Sequence, residues 1–197
     1  MTVFEDEDDL ADCLRGMLAP KFKEVYPNVN LASRKFYADW EKWFGKGAPP
    51  AQPEIDLLFV ASNFTLLAAE LKYYRLSENA TLNQPYYSGI DEALALLKFG
   101  FTCVSLWHFF DPEVPEETVK RYVEGCRGLT FGLGLRINYE AFRVHSRQDF
   151  KQLSSTMTEI EPYSLQSPFG NSNPLQNNWD AKKAQDFIRK ALRIPTP

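Results

Sequence analysis

The sequence predicts an α/β fold, a central mixed sheet flanked by helices. Three observations predict it. Two apolar runs of strand length, 54–60 and 65–72, flank the short turn-like segment Ala61-Ser62-Asn63-Phe64. A third run, Phe101 to Phe110, is nearly continuously apolar, as a strand buried on both faces is. Around them apolar residues recur at helical spacing, giving the order helix, strand, strand, strand, helix, strand that a sheet covered on both faces needs.

The first helix is expected from Glu7 to about Tyr26, with Leu10, Leu14, Met17 and Leu18 on one face and Pro20 ending or kinking it. Residues 31–44 carry Phe36, Tyr37, Trp40, Trp43 and Phe44 and read as a strand opening the sheet, with a short helix as the alternative. Gly45 to Gln52, with its glycines and prolines, is a loop. Ile90, Ala93, Leu94 and Leu97 mark a helix within Pro85 to Lys98, and Gly100 stops it. A third helix starts at Pro115, with Glu116 and Glu117 suited to its first turn, and ends near Arg127 and Gly128. Strands near 130–138 and 141–146 extend the sheet, the glycines of Gly132-Leu133-Gly134 marking close packing or a bulge. Residues 152–177, rich in Ser, Pro, Asn and Gln, read as a loop. Trp179 to Leu192 closes the chain as an amphipathic helix with Trp179, Ala184, Phe187, Ile188 and Leu192 on one side. The division expected is one α/β domain over 1–150, a loop or linker over 151–178, and a helix at 179–193 packing on the same domain.

Composition removes several classes of protein. A chain of 197 residues, 44% hydrophobic, suffices for one domain with a core. No run approaches the roughly twenty apolar residues of a membrane span. The acidic start, Glu5-Asp6-Glu7-Asp8-Asp9, does not resemble a signal peptide. Cys13, Cys103 and Cys126 form no Cys-x-x-Cys pair and fit reduced thiols, so a cytoplasmic protein is expected. The net charge of −4 argues against a simple cationic nucleic-acid binder. Residues 120–151 nevertheless hold seven bases (Lys120, Arg121, Arg127, Arg136, Arg143, Arg147, Lys151) against three acids, enough for a local basic surface.

The densest chemical signal is charge inside the apolar hairpin. Asp56 lies in its first strand, while Glu70 and Lys72 end the second, two residues apart and so on one strand face. Ionised groups are almost never fully buried unless paired or bound to metal, so three of them here indicate a site. Asp149-Phe150-Lys151 and Asp180-Ala181-Lys182 repeat the acid-x-Lys spacing, but neither follows such a hairpin. His108, among Trp107, Phe109 and Phe110, reads as a packed structural histidine. No Gly-x-Ser-x-Gly elbow, P-loop or complete dinucleotide fingerprint occurs.

Asp56 followed by Glu70-Leu71-Lys72 resembles the PD-(D/E)XK nuclease superfamily, of restriction-endonuclease-like fold, with Pro53 three residues before the aspartate instead of next to it. The likeness covers about residues 7–110. It implies an αβββαβ core with C-terminal additions, and a Mg²⁺-dependent endonuclease, with Mn²⁺ as substitute, that hydrolyses phosphodiester bonds of nucleic acid, DNA first. Asp56, Glu70 and the Leu71 carbonyl would bind metal, and Lys72 would position or activate water. Of the N-terminal acids Glu7, Asp8 and Glu24, Glu7 is the favoured further metal ligand, one helical turn ahead of the Leu10 and Leu14 face. Gln84, with Tyr87 after it, would match a further catalytic glutamine at a shifted spacing. A homodimer would cut both strands of a duplex. The rivals are a catalytically silent nucleic-acid-binding or assembly protein on the same fold, and an unrelated α/β interaction protein.

Overall fold

The structure is a computed structural model that describes residues 2–48, 54–155 and 172–196. Helix α1 (Glu7–Leu18) begins where the Asp6 carboxylate accepts the Asp9 amide at 2.9 Å, with acids filling its first turn. It stops before Pro20, and the chain extends as β1 (Glu24–Asn30) instead of remaining helical to Tyr26. Pro27 fits because β1 is an edge strand. Ser33 then accepts the Phe36 amide at 3.0 Å and caps α2 (Arg34–Phe44). The aromatic run expected as a strand is therefore a helix. Phe36 and Trp40, four apart, are buried while Tyr37 is exposed, a period of 3.6 that overrides the strand preference of aromatic residues.

The remaining strands are β2 (Glu54–Val60), β3 (Leu66–Tyr74), β4 (Cys103–Phe110), β5 (Asn138–Ser146) and β6 (Asp149–Ser155). All six form one open mixed sheet in chain order. The pairs β1–β2, β2–β3 and β5–β6 are antiparallel; β3–β4 and β4–β5 are parallel. The parallel crossovers use α3 (Ile90–Leu96), continued by a 3₁₀ turn to Phe99, and α4 (Glu116–Gly132). Helix α3 is shorter than the 85–98 segment expected. Helix α4 is longer, running through Gly128 and closing only at Gly134, whose φ of +62° is left-handed. No strand therefore forms over 130–137, and β5 begins at Asn138. Strand β6 occupies the start of the stretch expected as a loop; Pro53 and residues 156–171 lie outside the described residues.

Successive strand residues face opposite layers. Phe4 and α1 pack with Leu57, Phe59, Leu71, Tyr73 and Trp107. The other face, with Leu58, Ala68, Leu106 and Phe110, carries α2, α3, α4 and α5 (Trp179–Leu192). The Phe36 and Phe187 rings join α2 to α5 at 5.8 Å, while Trp179, expected on the apolar side, is 70% exposed. Buried Asn173 donates to the Leu97 and Phe101 carbonyls, both at 2.9 Å, and anchors the chain before α5. Among the described residues no helix is long and apolar enough to cross a membrane.

Candidate active site

The site forms where β2 parts from β3. Their paired residues run from Val60↔Leu66 to Leu57↔Ala69, which brings Asp56 opposite Glu70. Beyond this point β2 stays with β1, as far as Asn30↔Glu54, and the freed edge of β3 is held by side chains. The Leu71 amide donates to Asp56 Oδ2 at 2.7 Å and the Tyr73 amide to Glu7 Oε1 at 3.1 Å. Asn83 takes the next positions, accepting from the Arg75 amide and donating to the Tyr73 carbonyl. A strand residue's N–H and C=O leave by the same edge, so the Leu71 carbonyl also faces this notch. The notch lets Glu7, from the α1 layer, reach residues on the α3 face. An N-terminal strap holds it there: the Val3 amide bonds Asp111 at 3.1 Å, the Phe4 amide bonds the Tyr73 hydroxyl at 3.3 Å, and Phe4 is buried.

Lys72 is the centre of the charge. Its Nζ lies 2.8 Å from Glu70 Oε1, 2.8 Å from Glu92 Oε2 and 3.5 Å from Glu7 Oε2. Gln84 Nε2 donates to Glu7 Oε1 at 2.7 Å. Glu70 and Lys72 are buried, 3% and 8% exposed. Burial pushes the Asp56 carboxyl above its ordinary range; burial, then the Asp56 charge, pushes Glu70 up as well, with Lys72 opposing in both cases. Burial alone would lower Lys72, but Glu70 and Glu7 outweigh it and hold the ammonium charged well above its usual range. A cavity of about 310 Å³ adjoins the site, lined by Asp6, Glu7, Asp8, Tyr73, Arg75, Asn83 and Gln84.

Asp56, Glu70, Leu71, Lys72, Glu7 and Gln84 thus lie together, whereas Asp8 lines only the cavity and Glu24 sits on the edge strand. Glu92 belongs to the cluster and was not expected there. In sequence it is an acid in a helix's first turn, which the helix dipole already explains, so nothing marked it. Tyr87, 54% exposed, has no contact with Gln84 among the described interactions. The basic run does not form one face. Arg147 pairs with Asp9 on α1, Arg143 donates to the Pro112 carbonyl, and Lys120 and Arg127 share a groove with Glu116, Glu117 and Glu124.

Among the described residues no three His, Cys, Asp or Glu side chains are spaced to hold a metal ion. The donor types nevertheless suit a hard cation: carboxylates of Asp56, Glu70 and Glu7 beside a carbonyl edge.

No family model matches the sequence, and no curated protein matches it. Among solved structures it is similar to SfsA of Pyrococcus furiosus, determined in complex with Ca²⁺, at a TM-score of 0.34 and 13% identity. That alignment covers 78% of this chain and 62% of the other, so this chain spans less than two thirds of that protein's length.

Proposed function

We propose that this chain is a divalent-cation-dependent nuclease that hydrolyses phosphodiester bonds, with DNA as first substrate. The observation that supports it is the meeting of Asp56, Glu70 and Lys72 at the end of an interrupted strand ladder, beside Glu7 and Gln84. When bound, Mg²⁺ or Mn²⁺ would polarise the phosphodiester and lower the pKa of a water. Asp56 and Glu70 would hold the ion with the Leu71 carbonyl, and Glu7, which bonds Gln84 and the Tyr73 amide, would have to turn from those partners to add a third carboxylate. The Lys72 ammonium would supply positive charge for the phosphoryl oxygens as negative charge develops on them. A second copy of the chain would serve the second strand of a duplex.

The test is cleavage of linear, branched and single-stranded DNA and RNA in Mg²⁺ or Mn²⁺. Lys72→Ala and Asp56→Ala should each lower the rate by at least about 100-fold while leaving a cooperative melt. Full activity in either variant sinks the assignment. One observation favours a second reading, a non-cutting binding or assembly protein: carboxylates already surround Lys72, so the network satisfies itself without an ion. Absence of cleavage across the panel, with no cation bound, supports that reading.

A further inference from the structure

The position a divalent ion would take beside Glu70 is contested by the protein's own ammonium. Glu70 Oε1 accepts from Lys72 Nζ at 2.8 Å, and Glu92, reaching in from α3, holds the same nitrogen at 2.8 Å. Glu92 lies on a different element from Asp56 and Glu70, so it can keep the ammonium while those two turn to another cation. The stem of Lys72 runs close against Gly89. Gly89, at φ +81°, packs so closely that a Cβ there would lie 3.1 Å from Lys72 Cγ and 3.0 Å from Cε.

We propose that Lys72 acts as a resident cation that competes with the divalent ion for Glu70, and that Glu92 is the positioning residue that receives the ammonium when the ion binds. This inference rests on the metal-dependent reading above. A cation approaching Glu70 meets like charge from Lys72 at short range, which opposes binding. With Glu92 in place, the ammonium retains a carboxylate partner after giving up Glu70. Without Glu92 its remaining partners are Glu70 and Glu7, the two carboxylates the ion also needs, so it competes more strongly. Glu92 thus acts through Lys72 and touches neither ion nor substrate.

Calorimetry with Mn²⁺ alone on wild type, Lys72→Met, Glu92→Gln and the double variant tests this as a cycle. Lys72→Met should bind Mn²⁺ at least about tenfold more tightly than wild type because the competitor is gone. Glu92→Gln should weaken binding by about threefold to tenfold, and the double variant should match Lys72→Met, because Glu92 then has no ammonium to hold. Equal affinity in Lys72→Met and wild type overturns the proposal and leaves the metal-dependent reading standing. Persistence of the Glu92→Gln loss in the Lys72→Met background also overturns it, since Glu92 would then act directly on the ion. Absence of Mn²⁺ binding in every protein removes both the proposal and the metal site. Lys72→Met strips a buried network of its cation and is expected to be less stable, so its melting temperature with and without Mn²⁺ supplies a second comparison. A rise larger than that of wild type supports the competition, and an equal or smaller rise overturns it.

Discussion

His108 is fully buried beneath the site, its Nε2 3.1 Å from the Ser88 carbonyl and its Nδ1 3.1 Å from the Tyr139 hydroxyl. These partners suit a neutral ring that donates to Ser88 and accepts from Tyr139, a tautomer inferred from the bonding pattern. Burial, helped by the nearby Lys72 charge, brings its pKa down to about 3. In the unfolded chain the ring binds a proton as pH falls through about 6.5, whereas the folded ring stays neutral until near 3. Over that window the unfolded state holds the extra proton, so this histidine costs stability as pH falls, by up to about 1.4 kcal/mol per pH unit. His108→Phe should lose stability at pH 7 but show a shallower decline between pH 6.5 and 4 in urea titrations. Parallel declines in the two proteins would mean that the ring is not the source. Because it fixes the Ser88 carbonyl next to Gly89, His108 also helps hold Lys72 in place.

Gly89 shows how an element can depend on a single atom. A methyl group there would lie 2.7 Å from Leu106 Cδ1 and close to the Lys72 stem, at a φ that L residues rarely adopt. Gly89→Ala should cost about 1–3 kcal/mol and shift Lys72 away from Glu92, measurable as a lower melting temperature together with altered Mn²⁺ affinity. Normal stability and affinity in this variant would refute the close packing. The same elements show what the sequence made legible. The hairpin β2–β3 stands out because its runs are apolar and turn-bounded, and its three charges stand out because the surrounding pattern forbids them. Asp56 and Glu70 could be paired because few residues separate them, so the register follows from the turn. Glu92 comes from another element, and only the packing of α3 against β3 brings it to Lys72. Residues 34–44 misled because aromatic side chains suit strand and helix alike; the Ser33 cap and the 36–40 spacing were the helical signals present. The end of α4 was misplaced because Gly128 faces open space, where glycine in a helix costs only about 1 kcal/mol.

At the scale of the molecule, one face of the sheet depends on the C-terminal helix and the other on the N-terminal strap. Ile188 and Ala184 of α5 enter the core beside Phe36 and Phe99, and Arg189 donates to the Phe64 carbonyl at 2.6 Å. Ile188→Ala should cost about 2–5 kcal/mol in chemical denaturation and leave Mn²⁺ affinity unchanged, because α5 does not reach the notch. A parallel loss of Mn²⁺ affinity would show that the two regions are coupled. The parting of β2 from β3 has a further consequence for how the protein can be observed. Leu71 and Tyr73 are internal strand residues whose amides are shielded from solvent by the carboxylates of Asp56 and Glu7, not by a neighbouring strand. A ligand that draws those carboxylates away would leave both amides open to exchange with deuterium, while Ala69, one step down the ladder, stays protected. The backbone thus carries two isotopic reporters of whether the site is occupied, readable before any substrate is known.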